Sequence, residues 1–200
     1  MITSDRCPSY SLDVVCSLGQ PATLRRDHAE TNCLCHWHDF TLTLFTACQK
    51  RPSPPASATC DLGEGKTIRT NYSSPRMKGR RIYGDLVPFG QVWRAGANEA
   101  TTFVTSSDVV VGGKTVAAGS YTIFTIPAAD KWTLIVNKKT GEWGIPYKYE
   151  SDELARVDMR VSKLPASIEN FAIGYDKSAS GCTLRMDWET TRASVDLTAK

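Results

Sequence analysis

From Ala58 to the C-terminus the chain is written in short β-branched and aromatic runs, broken by Gly, Pro, Asn and Ser. A strand buried on one face needs apolar residues at a period of two, and an amphipathic helix needs them near 3.6. Ala58, Cys60 and Leu62 alternate with Thr59 and Asp61; Leu184, Met186 and Trp188 alternate with Arg185 and Asp187. Between these lie strand-like runs at 66–72, 101–105, 109–111, 114–116, 121–126, 132–137, 157–161 and 169–175, with 193–197 beyond them. Gly112-Gly113 between two such runs supplies the positive φ of a two-residue hairpin turn. The pattern predicts an all-β, antiparallel β-sandwich (jelly-roll-like) of about ten strands, with a β-barrel as the alternative. Residues 151–156, a serine followed by early acids, predict a short helix; one or two such helices are the most expected.

The chemistry-bearing residues are unevenly placed. All three histidines (His28, His36, His38) and five of the seven cysteines (Cys7, Cys16, Cys33, Cys35, Cys48) precede residue 49. From Ala56 to Lys200, 145 residues contain no histidine and only Cys60 and Cys182. This body therefore lacks the side chains of Ser-His-Asp and Cys-His catalysis and of His-rich metal sites. The expectation is no cofactor and no metal. A net charge of only +3 argues against a nucleic-acid partner.

Three segments follow from composition. Residues 1–49 read as a leader, disordered or a defective signal or lipoprotein segment. Its apolar run 40–47 ends in a small residue before Cys48, as at a lipid-anchored cysteine, but His-Trp-His-Asp ahead of it is no positively charged n-region. No run approaches 18 apolar residues, so no transmembrane helix is expected. Residues 50–57, with three prolines, read as an extended linker, and residues 58–200 as one β domain. In the leader, Cys33, Cys35, His36 and His38 are competent zinc ligands, but their spacing fits no standard finger or ribbon.

Cys60 shares the parity of Ala58 and Leu62, and Cys182 that of Leu184 and Met186, so both thiols point inward. They form either a disulfide between the first strand and a late one or two separate buried thiols; the bond would imply an oxidising compartment.

The long connection at 72–103 is too apolar for disorder, and long connections in compact domains are often functional. Its Arg76, Arg80, Arg81 and Arg94 suit a carboxylate, sulfate or phosphate; Asn98 and Glu99 suit a polar ligand, and Trp93 can stack on a ring. The other reading has Trp93 and Phe89 plugging one end of the fold while Arg94 pairs with Glu99 or Asp85. A second aromatic loop, 141–149, offers Trp143 and Tyr147 as a sugar platform or as a cover for the sheet. The candidate ligand-binding set is Arg76, Trp93, Arg94, Asn98, Glu99, Trp143 and Tyr147. No catalytic residue stands out, although Glu99 with Glu142 or Asp85 contains the two carboxylates a glycosidase needs.

The runs 72–80, 86–103, 118–127 and 132–144, and above all Trp-Arg-Ala-Gly-Ala-Asn-Glu-Ala-Thr, resemble the bacterial family called domain of unknown function 2911. The resemblance covers about residues 52–200. It implies an exported, periplasmic or secreted protein and carries over no catalytic residue. Residues 1–39 depart from the signal peptide such proteins begin with, as a misassigned start codon or an upstream frameshift would produce. The expected function is a non-catalytic exported module binding a small polar ligand, a glycan or an envelope partner. A carboxylate-dependent hydrolase and a structural envelope protein are the alternatives.

Overall fold

A computed structural model describes residues 53–200. The expectations for the leader, including its cysteine-histidine cluster and Cys48, fall outside the described residues. Nine strands form one antiparallel sheet: β1 (Pro55–Gly63), β2 (Lys66–Ser73), β3 (Thr101–Thr105), β4 (Val109–Val111), β5 (Lys114–Val116), β6 (Gly119–Ile126), β7 (Lys131–Asn137), β8 (Glu153–Ser178) and β9 (Gly181–Ala199). Their order across the sheet is β1-β2-β3-β6-β7-β8-β9-β4-β5. All the ladders are antiparallel.

The all-β antiparallel class holds, and the sheet is not closed into the alternative barrel. The strand count falls to nine because four expected strands fuse into two. Runs 157–161 and 169–175 belong to the continuous 26-residue β8, and 182–188 and 193–197 to the 19-residue β9. β8 pairs with β7 through its first part and with β9 beyond it, and crosses the polar middle with register shifts between Lys163 and Ala172. Bulges carry a strand through residues that fit no alternation. The expected helix at 151–156 is only a 3-10 turn at Glu150–Asp152, and the strand begins at Glu153. One turn with no side-chain cap cannot propagate a helix against the β7 ladder. At the other end β1 begins at Pro55, inside the expected linker: an edge strand tolerates proline. Gly112 and Gly113 have φ of 51° and 86°, the pair of positive values a type I′ hairpin turn needs.

The β1–β2 end of the sheet folds over the β8–β9 hairpin. The Cys60 and Cys182 sulfurs are bonded, with Cα atoms 6.4 Å apart. The Tyr175 and Thr70 hydroxyls bond at 2.5 Å, and the Tyr72 hydroxyl accepts the Ile173 N–H at 3.0 Å. The core between them holds Ile68, Phe103, Ile123, Trp132, Met159, Phe171, Leu184, Met186 and Trp188, all nearly or fully buried. β6 is buried on both faces: Ile123 faces this core, while Phe124 joins Ala100 and Ile135 in a smaller cluster on the other side.

That smaller cluster is closed by the 141–149 loop. Tyr147 packs edge-on to Phe124 at 4.9 Å and Tyr149 stacks on it at 6.2 Å. Gly144 has φ of 88°, and a Cβ there would lie 2.9 Å from the Ala100 Cβ, so the loop approaches this closely only as glycine. The Tyr147 hydroxyl donates to Glu153 Oε1 at 2.6 Å, and Arg156 grips the same carboxylate through two bonds of 2.6 and 2.8 Å. The Arg156 bond is the main reason the Glu153 carboxyl is held below its ordinary 4.5; burial opposes it and the Tyr147 bond adds to it. A carboxyl lowered by folding stabilises fully above its unfolded pKa, and that stabilisation is lost as pH falls through the folded value. Acid titration of folding should therefore show a loss starting below about pH 4.5. Glu153→Gln should remove that part of the pH dependence; identical acid profiles would refute the assignment.

Candidate functional site

The 74–100 connection between β2 and β3 is pinned to the sheet by short ladders. The Phe171 N–H donates to the Pro75 carbonyl at 2.9 Å, and Trp93 exchanges both backbone bonds with Thr125 at 2.7 and 2.8 Å. Trp93 then stacks near-parallel on Trp188 at 6.0 Å and meets Phe171 edge-on at 4.9 Å. Burying four large rings in one cluster, with Trp132 the fourth, fixes the floor on which the connection rests.

Above this floor lies a cavity of about 400 Å³. Its apolar wall includes Leu86, Val87, Val92, Trp93, Ile145 and Trp188. The polar residues of its lining are Ser53, Arg80, Gln91 and Arg94, with no aspartate or glutamate among them. Such a cavity has the size and the mix of apolar wall and few polar groups typical of small-molecule sites.

Local backbone chemistry fixes both arginines in place. Lys78 and Gly79 take φ of 51° and 71°, turning the chain so that the Arg80 N–H returns to the Met77 carbonyl at 3.1 Å. The Arg80 guanidinium is braced by the Arg76 and Met77 carbonyls at 2.7 and 2.9 Å. A guanidinium has five N–H donors, so two such braces orient it without exhausting it. Ala95 and Asn98 are also left-handed, with φ of 51° and 58°, in the loop that carries Arg94. Arg94 Nη1 donates to the Asn98 and Trp143 carbonyls at 2.5 and 2.9 Å, and its Cζ lies 4.9 Å from the centre of the Trp143 ring. Burial pulls Arg94 below its ordinary value, and the Glu99 charge opposes this. A guanidinium remains a cation throughout.

The seven candidate residues are thus divided. Trp93 and Arg94 line the cavity. Asn98 and Trp143 position Arg94, and the Asn98 amide also donates to the Ser53 carbonyl at 3.1 Å. Glu99 acts on Arg94 by its charge. Arg76 contributes a backbone bridge to Asn170 and its carbonyl to Arg80, and its side chain is not in the lining. Tyr147 is on the other face of β6 with Phe124 and Glu153, because Phe124 has the opposite parity to Ile123.

Sequence reasoning missed Ser53, Leu86, Gln91, Ile145 and Trp188 as lining residues. Trp188 had a readable signal, as a tryptophan on the apolar face of a strand. The others are placed by turns and loop crossings that leave no periodic mark. Of the carboxylates considered for hydrolysis, Glu142 is bound by Tyr149 and Lys139 at 3.3 and 3.7 Å, and neither it, Glu99 nor Asp85 lines the cavity. Tyr83 adds a buried hydroxyl with no hydrogen-bond partner among the described residues, its ring 5.0 Å from that of Trp132. No group of three or more potential metal ligands occurs among the described residues.

Fold and site together define an all-β antiparallel protein with a tryptophan-floored cavity carrying two arginines. The chain belongs to the family described as protein of unknown function (DUF2911), whose model matches residues 53–197. No curated protein and no solved structure is significantly similar to it.

Proposed function

We propose that the domain is a non-catalytic binding module whose cavity takes a small anion with an apolar body. The lining carries this reading: two arginines and no aspartate or glutamate beside Leu86, Val92, Trp93, Ile145 and Trp188. A carboxylate, sulfate or phosphate monoester satisfies the arginines by paired charge-assisted bonds, and its hydrocarbon part packs on the partly exposed Trp93 and the aliphatic wall. A neutral sugar would leave the two cations without a counter-charge in a partly desolvated wall. The Cys60–Cys182 bond supports placing the domain in an oxidising compartment outside the cytosol.

Calorimetric titration with monomeric decyl phosphate, decanoate and a neutral decyl glucoside tests the reading. The two anions should bind and the glucoside should bind at least tenfold more weakly. Arg94→Gln and Arg80→Gln should each weaken the anions about tenfold or more, as losing a charged hydrogen-bond partner costs about 1.5–3 kcal/mol. Equal binding of all three amphiphiles, or anion binding unchanged in both variants, would refute it.

A further inference from the structure

The residues around the cavity mouth identify where its ligand is met. The large hydrophobic side chains most exposed among the described residues are Leu86, Phe89, Val104, Trp143 and Ile145, at 43, 45, 37, 56 and 39%. Four of these five belong to one place. Leu86 and Ile145 line the cavity, Trp143 covers Arg94, and Phe89 lies in the same loop as Leu86. A surface that collects its exposed apolar groups at one mouth marks an interaction site.

The charge of the connection beside that mouth is mostly positive. Between Pro75 and Asn98 stand Arg76, Lys78, Arg80, Arg81 and Arg94 against Asp85, with Glu99 acting on Arg94 and Glu169 accepting the Lys78 N–H at 2.9 Å. Arg81 and Phe89 are neighbours: a Cβ built on Gly84 would meet the Phe89 ring at 3.3 Å and Arg81 Nη2 at 4.0 Å. Aromatic and aliphatic tips set among lysine and arginine heads match the boundary of an anionic bilayer, where rings enter the headgroup layer and cations meet phosphates. The sequence adds a constraint of reach. Ser53 lines the cavity, and Cys48, the cysteine a lipid anchor would modify if the leader is a lipoprotein segment, lies five residues before it. Five residues span at most about 18 Å. An anchor there would hold the mouth at the membrane surface.

We propose that the rim of Leu86, Phe89, Trp143 and Ile145, with Lys78 and Arg81, docks on an anionic phospholipid surface, and that the cavity takes the phosphate headgroup there through Arg80 and Arg94. This rests on the anion-binding reading of the cavity and adds its source. The full chain is sedimented with vesicles of phosphatidylcholine alone or doped with phosphatidylglycerol. In parallel, binding of monomeric decyl phosphate is measured.

Co-sedimentation should occur with the doped vesicles, with a blue shift of tryptophan emission as Trp143 leaves water. Leu86→Ser with Phe89→Ser should lower partitioning about tenfold or more, as should Lys78→Gln with Arg81→Gln. Val104→Ser, outside the rim, should leave it unchanged. Decyl phosphate binding without vesicle binding overturns the membrane proposal and preserves the cavity reading. Failure of both overturns both. Vesicle binding that survives Leu86→Ser with Phe89→Ser is charge attraction alone and overturns the docking surface. Equal sedimentation with pure phosphatidylcholine overturns the headgroup assignment.

Discussion

Removing the Cys60–Cys182 bond, by Cys60→Ala with Cys182→Ala, should destabilise the domain by about 4–5 kcal/mol. The bond closes a sequence separation of 122 residues, and in the chain-entropy model long loops lose the most freedom in the unfolded state. It also acts where the sheet has no ladder to help. β1 is paired by β2 alone, at the edge, and meets β9 only face to face. For a domain of this size the loss corresponds to a fall in Tm of roughly 10–20 °C. Thermal and denaturant unfolding of the double variant and of the wild type, each with and without reductant, checks it. Reductant should move the wild type to the variant's midpoint and leave the variant unchanged. A variant within about 1 kcal/mol of the oxidised wild type would show that the bond adds little to the packing around it.

Much of this fold is written locally. The parity of Cys60 and Cys182 placed both sulfurs inside before any pairing was known, since period two divides a strand's faces whatever its partner. Gly112-Gly113 marked a hairpin because positive φ is a property of the residues themselves. The order of the sheet is another matter. The β4–β5 hairpin follows β3 in sequence but joins the far edge through Val109–Ala199 and Val111–Leu197. Nothing in residues 109–116 specifies a partner ninety positions on, because ladder hydrogen bonds are made by the backbone and are alike for every sequence. β8 appeared as two strands for a related reason. Its middle, around residues 162–170, is mostly exposed and carries no alternation, yet the ladder continues there through bulges.

The candidate site was legible in composition and not in aim. The arginine-rich, aromatic connection between β2 and β3 was recognisable as the distinctive part of the chain. Which arginine lines the cavity depends on the left-handed turn at Lys78 and Gly79, after which Arg80 joins the lining and Arg76 braces it through its carbonyl. Tyr147 was grouped with Trp143 by closeness in sequence. The close approach of Gly144 to Ala100 and Phe124 separates the two, sending Trp143 to Arg94 and Tyr147 beneath the opposite face of β6.

Asp187→Ala should cost about 2–4 kcal/mol, although its alternation on β9 reads as a solvent-facing position. The side chain is 1% exposed. Its oxygens accept Arg185 Nη1 at 2.6 Å and Arg192 Nε and Nη2 at 2.7 Å each. The buried Asp187 carboxylate is thus held by two guanidinia; burial acts against the charge of Arg185, and its bonds to Asp176 and Asp187 together outweigh it. Removing one partner of a buried ion pair leaves the other charges uncompensated, at about 3–5 kcal/mol in closed sites. Here Arg185 keeps its bond to Asp176 at 3.0 Å, and the Arg185 and Arg192 side chains, 28% and 35% exposed, regain some water, which sets the lower range. Asp187→Asn keeps the shape and should lose less. Coupling with Arg192→Gln in a double-mutant cycle should reach about 1 kcal/mol or more. The neighbouring Trp188 lines the cavity, yet the carboxylate does not. Measured well below the variant's Tm, decyl phosphate binding to Asp187→Asn should therefore stay within about twofold of wild type, a difference of about 0.4 kcal/mol. A stability change below about 0.5 kcal/mol for Asp187→Ala would mean that the pair is no more than a surface ion pair.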